Sequence, residues 1–414
     1  MKNVLLSAAL LATTGLFTAC STVGKGGALG NDLPSSPANS GNGDATEQTL
    51  GGVSPTETLP VDDSFKPTAQ QTLDYMRYIG PSLIGRVLSD EEEAKLTLGS
   101  ASAIEPIIES WVKDDGFVEA VKSMLEIRLG SNGKRGSVDF NLPGYIVRHV
   151  VKNNLPWSNV VTSQSCYDAA DQAIPCDTGA PYTAGVLTTR GFLAGNEGRF
   201  NLGRARAMLL TFMCRDYPID PELQPYIEKP RLKLMFRASN AEEQMVAEVA
   251  GGFGNGLACF TCHGQFSNHA QPFVKFDGSG TWINDADGSQ SKTGQLGESD
   301  RNLMASHFEN AAEAASEKAQ WFGAEIDNLA SGAAIMGNSP RFQECAVQQL
   351  IDMGVGLDLG FDTEVKGLAV LESFLTDIAS SVTKTSPDPT IQELAIATYS
   401  DMRVVAATLN GLKR

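Results

Sequence analysis

The sequence predicts a mainly α-helical protein with one small β-hairpin, and three observations carry that expectation. Apolar residues recur three and four positions apart through most of the chain, as in Ile104, Ile107, Ile108 and Trp111. Helix-start chemistry stands where those runs begin, most plainly Ser89-Asp90-Glu91-Glu92, a capping box. The strand signal is confined to Phe273–Ile283, where aromatic and branched residues flank a glycine-containing turn.

Residues 1–20 read as an export signal. Lys2 supplies the positive end, Val4 to Leu16 form a short apolar core, and Leu16-Phe17-Thr18-Ala19-Cys20 resembles a bacterial lipobox that would acylate Cys20. Ser21-Thr22 after that cysteine lacks the Asp associated with inner-membrane retention, so the resemblance favours an outer-membrane anchor. An ordinary cleaved signal is the plainer alternative. Residues 21–66 are rich in Gly, Ser, Pro, Thr and Asn, too poor in large apolar side chains for a core, and read as a tether.

Two folded regions are expected, 67–200 and 201–414. Pro67 suits a first helical position, and Leu73, Tyr75, Met76, Ile79 and Leu83 follow at helical spacing. Phe117, Val121, Met124, Leu125 and Ile127 continue the pattern. Between about 154 and 200 the periodicity lapses among prolines, glycines and two cysteines, which suggests a disulfide-tied excursion. Helix resumes over 202–214 and 241–249. After the hairpin, Asn284–Gly288 reads as a solvated turn, because the calcium-loop pattern fails at its first and twelfth positions. Further helices are expected over 303–322, 341–353, 364–382 and 390–412.

The chemistry concentrates in Cys259-Phe260-Thr261-Cys262-His263. Two thiols one short turn apart can reach the two vinyl groups of one macrocycle, and the histidine that follows can ligate its iron. This is the attachment pattern of a c-type haem, one per chain here. With 7 Cys and 4 His in 414 residues, chance produces it in about one such chain per thousand. Half of a zinc site has the same Cys-x-x-Cys spacing, but no second Cys-x-x-Cys or His-x-x-x-His exists. A Cys259–Cys262 disulfide is the third reading.

If Cys20 carries lipid and Cys259 and Cys262 carry haem, four cysteines remain: Cys166, Cys176, Cys214 and Cys345. In an oxidising compartment they should form two disulfides, with three connectivities open. Cys166–Cys176, closing a short loop, is favoured, which leaves Cys214–Cys345 by elimination.

The net charge of -17 argues against nucleic acid and anionic membrane surfaces as partners. No Walker loop, glycine-rich dinucleotide fingerprint or Ser-His-Asp arrangement is present.

Four pieces of the chain resemble the exported planctomycete-type monohaem cytochromes, a broad bacterial family built around a single Cys-x-x-Cys-His motif. They are Tyr78 to Leu129; Arg190-Gly191 with Ala207 to Asp220; Cys259 to Gly280, including Phe276-Asp277-Gly278-Ser279-Gly280; and Asn338 to Val382. The family's Met-Asp-Pro after the haem histidine is replaced by Phe266-Ser267-Asn268. The resemblance implies an exported haem protein and supplies no established activity.

Function then turns on the iron's sixth ligand: methionine or histidine makes an electron carrier, and an open site permits ligand or peroxide chemistry. Met304 is the first candidate, with Met336 and His307 as alternatives. His269 lies too near His263 in sequence to cross the macrocycle easily, and His149 reads as a surface or half-buried histidine. The expected function is single-electron transfer by a lipid-anchored cytochrome of the cell envelope, with a redox partner protein that the sequence does not identify. A single-haem peroxidase or oxygenase with an open distal site is the enzymatic alternative, and a recognition lipoprotein braced by haem is the structural one.

Overall fold

The computed structural model describes residues 65–197, 201–217, 268–284, 316–356 and 368–412. Cys20, the tether up to residue 64, the Cys-x-x-Cys-His motif, Met304, His307 and the helix expected over 241–249 lie outside the described residues, as does the turn beyond Asn284; Phe65, at the tether's expected end, packs against the hydrophobic cluster.

Helix α1 (Ala69–Ile84) starts from Thr68, whose hydroxyl accepts the Gln71 amide at 3.3 Å while Gln71 returns a carboxamide oxygen to the Thr68 amide at 2.8 Å. Pro67 therefore precedes the cap instead of opening the helix, because the capping box sets the first helical residue at Ala69, two positions later. Helix α2 (Asp90–Gly99) begins at the expected Ser89–Glu92 box. Glu92 also accepts the Trp111 indole N–H at 2.6 Å and both arms of Arg86, at 2.8 and 2.9 Å. These charge-assisted bonds, Arg86 first, lower its carboxyl to about 2. Helices α3 (Ile104–Trp111), α4 (Asp115–Leu129) and α5 (Leu142–Lys152) follow, with the two-residue strands β1 (Lys134–Arg135) and β2 (Val138–Asp139) between α4 and α5.

The excursion holds α6 (Asn159–Thr162) and the antiparallel pair β3 (Cys166–Tyr167) and β4 (Ala173–Ile174). Cys166 and Cys176 are joined there as a disulfide. Helices α7 (Arg190–Gly195) and α8 (Leu202–Phe212) lead to Cys214, which is bonded to Cys345 across 131 residues. Cys345 sits in α10 (Pro340–Val355), preceded by α9 (Leu329–Gly337).

Two expectations fail locally. Phe273–Ile283 forms no hairpin: one antiparallel bridge, Phe276 with Trp282, closes a tight loop after a 3-10 turn at Gln271–Phe273. The reason is Asp277, whose Oδ1 gathers the Ser279 and Thr281 amides at 2.8 Å each and coils the chain inward. The hairpin stands later, as β5 (Ala319–Trp321) and β6 (Ala324–Ile326), where helix was expected up to 322. Its turn, Phe322-Gly323, has φ of 50° and 81°, the positive pair that two-residue hairpins require. The last expected helix is also divided, into α12 (Ile391–Ser400) and α13 (Met402–Leu412). Asp401 turns extended between them and accepts the Arg403 amide at 2.8 Å.

Helix α11 (Leu368–Thr383) and α12 pack on α10, while α10 packs on α1 and α8, and α12 on α3. Each amphipathic helix thereby covers its apolar face with another. One hydrophobic cluster runs from Leu73 to Leu409. Tyr75 anchors its centre by donating to the Tyr399 carbonyl at 2.8 Å.

Candidate functional site: the chain around the Cys-x-x-Cys-His motif

The site is approached from its described flank, Asn268–Asn284, five residues beyond His263. Three interior devices hold this flank. Trp321 on β5 donates its indole N–H to the Asn268 carbonyl at 3.1 Å. Gln271 donates to the carbonyl of Ser316. The third is Arg204 on α8, fully buried, which donates to the carbonyls of Leu193 at 2.8 Å, Phe276 at 3.0 Å and Asp277, and to Asn201 Oδ1 at 2.8 Å. Burial lowers its guanidinium to about 10, against the pull of Glu197 and Asp277, so it stays a cation at neutral pH.

Arg190 meets the same loop. Arg190 Nε donates to the Ser279 carbonyl at 3.0 Å, and its own amide donates to Asp177 Oδ1 at 2.9 Å. Gly280 has φ of 78°, and a Cβ there would stand 2.8 Å from Leu193 Cβ and 3.1 Å from Arg190 Cα. Only glycine fits both the backbone and the space. The start of α7 and the Phe276–Gly280 loop are thus one packed unit.

The end of α8 meets α10 at the Cys214–Cys345 disulfide. Arg341 braces it by donating to the Met213 carbonyl at 2.8 Å and the Cys214 carbonyl at 3.2 Å. Gln349 Nε2 lies 3.3 Å from Cys345 Sγ.

His269 is buried beneath Tyr217, Trp321 and Phe322, with its Nδ1 3.0 Å from the Tyr217 hydroxyl. Phe322, a bulky residue in left-handed backbone, is held with its ring 5.2 Å from the imidazole. Met336 is fully buried on the last turn of α9, within the hydrophobic cluster. His149 is half-buried, stacked on Tyr167 at 3.5 Å and paired with Asp171 at 2.7 Å, where it braces the disulfide loop.

Sequence reasoning overlooked Arg204, Tyr182, Glu317 and Trp321. Arg204 carried a signal: it falls four residues before Met208, on the apolar stripe of its helix. Tyr182 and Glu317 carried none, being joined across 135 residues.

Among the described residues no group of three or more His, Cys, Asp or Glu side chains could hold a metal ion. No described helix is long and apolar enough to cross a membrane. The described residues define a mainly helical scaffold stapled by two disulfides. Comparison with protein-family models, curated proteins and solved structures finds no match to this chain.

Proposed function

We propose that this chain is an extracytoplasmic monohaem c-type cytochrome, lipid-anchored at Cys20, that transfers single electrons to or from a partner protein. The observation that carries the reading is the cysteine inventory. Cys166–Cys176 and Cys214–Cys345 are paired with each other, so none of these four thiolates is left to complete a tetrahedral zinc site with Cys259 and Cys262. Two disulfides also belong to an oxidising compartment, the one in which c-type haem is attached. The residues that would hold the group are Cys259 and Cys262 through thioether bonds and His263 as iron ligand. Bound there, haem supplies a reversible one-electron iron couple.

The chain's own contribution is rigid support of the segment beyond the motif. Arg204, Trp321 and Gln271 fix it from three sides, which favours a constant environment for the group on either side of a redox change. The resemblance to exported planctomycete-type monohaem cytochromes points the same way. An envelope location, anchored in the outer membrane and facing periplasm or surface, follows from the reading of Cys20.

The test is export of the full chain in a host that attaches haem, followed by acid denaturation and extraction with organic solvent. Porphyrin retained on the wild-type polypeptide and absent from a Cys259→Ser/Cys262→Ser variant supports the reading. Complete extraction from the wild type refutes it.

A further inference from the structure

We propose that Tyr217 and His269 form a redox-active pair: a one-electron oxidant, of the class of radicals that peroxides release, takes an electron from the Tyr217 ring while the phenolic proton passes to His269 Nδ1. Such a site drains oxidising equivalents out of the core, an activity separate from carrying electrons on an iron. It stands on side chains of the scaffold and not on an attached haem, so its test and the porphyrin test fail separately.

The Tyr217 hydroxyl lies 3.0 Å from His269 Nδ1, within hydrogen-bond reach. With the imidazole's own proton on Nε2, Nδ1 accepts from the hydroxyl, and that tautomer is the one the pair requires. His269 is buried and Tyr217 half-buried, so the proton acceptor is inside the protein and the tyrosine is partly open to solvent.

Both residues are held in place. Asp216 accepts the Tyr217 amide and Arg206 Nε, each at 2.8 Å, and nearby Cys214 is tied to Cys345. The imidazole packs against Phe322 at 5.2 Å and Trp321 at 5.9 Å. Trp321 is itself pinned by its bond to the Asn268 carbonyl and by Gly332, where a Cβ would stand 2.5 Å from the indole.

Electron loss alone would leave a phenol radical cation, a strong acid with no stable place in a protein interior. Moving the proton to a positioned base in the same step avoids that species. The O–H bond breaks, an N–H bond forms on Nδ1, and the oxidant is reduced by one electron. A neutral tyrosyl radical is left beside an imidazolium. The His269 ring stands 5.9 Å from both the Trp321 and the Tyr217 rings, so an indole oxidised in the core can take its electron from the tyrosine across the imidazole. Tyr75, Tyr78 and Tyr399 lack such a base, because their hydroxyls donate to main-chain carbonyls. Tyr182, which meets the Glu317 carboxyl, is the rival site.

The test uses the exported full chain and, as oxidant, the one-electron-oxidised ruthenium tris-bipyridine that a light flash and persulfate generate. The readout is electron paramagnetic resonance of the freeze-quenched sample. Wild type is expected to give a neutral tyrosyl signal that narrows with ring-deuterated tyrosine and forms more slowly in heavy water. Tyr217→Phe is expected to lose the signal and Tyr182→Phe to keep it. His269→Gln, which keeps an oxygen for the hydroxyl but no basic nitrogen, is expected to form the radical at least about 100-fold more slowly, the lower end of what a positioned proton acceptor contributes. No tyrosyl signal in wild type, a full signal in Tyr217→Phe, or its loss in Tyr182→Phe overturns the pair. So does a His269→Gln rate equal to wild type; if that variant fails to fold, equal wild-type rates in ordinary and heavy water overturn it instead.

Discussion

Arg204 and Asp277 lie 73 residues apart in sequence, yet the guanidinium of the first donates to the main-chain carbonyl of the second inside the core. Two other carbonyls and the Asn201 side chain share the same cation. A buried cation surrounded by backbone oxygens makes the position intolerant of substitution in a definite way. Arg204→Met fits the volume but strands several acceptors, each costing about 1–3 kcal/mol. Urea unfolding is expected to show a loss of at least about 3 kcal/mol on that basis. A loss below about 1 kcal/mol would mean that water replaces the guanidinium without penalty.

Gly280 and Gly133 separate two costs. Both have positive φ, 78° and 83°, but a Cβ at Gly133 meets nothing within 4 Å, whereas at Gly280 it strikes Leu193 and Arg190. Gly133→Ala should therefore cost about 1 kcal/mol of backbone strain. Gly280→Ala should cost about 2–4 kcal/mol, because overpacking adds to the strain. Equal midpoints in thermal unfolding would show that the loop around Asp277 yields freely.

These positions show what the sequence made legible. Local chemistry could be read: the Ser89–Glu92 box starts α2 where expected, and the spacing of Leu73 through Leu83 gives α1 its buried face. Cysteine arithmetic found both disulfides. Boundaries governed by competing caps were less legible, as at Pro67 and Thr68. The hairpin was placed wrongly because aromatic alternation over 273–283 imitates strand, whereas the Phe322-Gly323 turn follows an alanine-rich run that imitates helix. The contacts that grip the flank of the motif could not be read at all. Trp321 with Asn268 and Tyr182 with Glu317 are tertiary pairs without any local pattern.

The two disulfides should differ in worth. They close loops of sequence separation 10 and 131. Loop-closure entropy assigns about 3 kcal/mol to the short one and about 5 kcal/mol to the long one. Cys214→Ala/Cys345→Ala should accordingly lower the unfolding midpoint further than Cys166→Ala/Cys176→Ala. The reverse order would indicate a denatured state that already brings α8 and α10 together.

Glu92 sets an acid limit. Its folded value, lowered chiefly by Arg86 to about 2, lies below the ordinary carboxylate range. Its contribution is thus complete above the unfolded value and fades as pH falls toward about 2. Glu92→Gln should be less stable than wild type near neutrality, and the gap should close on acidification. A gap that is constant with pH would assign the effect to the Trp111 and Ser89 hydrogen bonds instead of to charge.

The sixth iron position, on the cytochrome reading, divides Met336 from Met304. Met336 is fully buried in the hydrophobic cluster on α9, and Gly337 beside it packs so closely that a Cβ would stand 3.1 Å from Ser158 Cβ. A methionine so enclosed acts as core, and Met336→Ala should cost about 2–5 kcal/mol of stability. The oxidised protein should nevertheless keep a band at about 695 nm, the mark of iron–sulfur ligation. Met304→Ala should remove that band. If Met336→Ala removes it and Met304→Ala does not, the ligand assignment reverses. If His307→Ala alone changes the spectrum, the axial pair is bis-histidine. Rapid carbon monoxide binding by reduced wild type would instead identify an open site and turn the reading from electron carrier to ligand-binding enzyme.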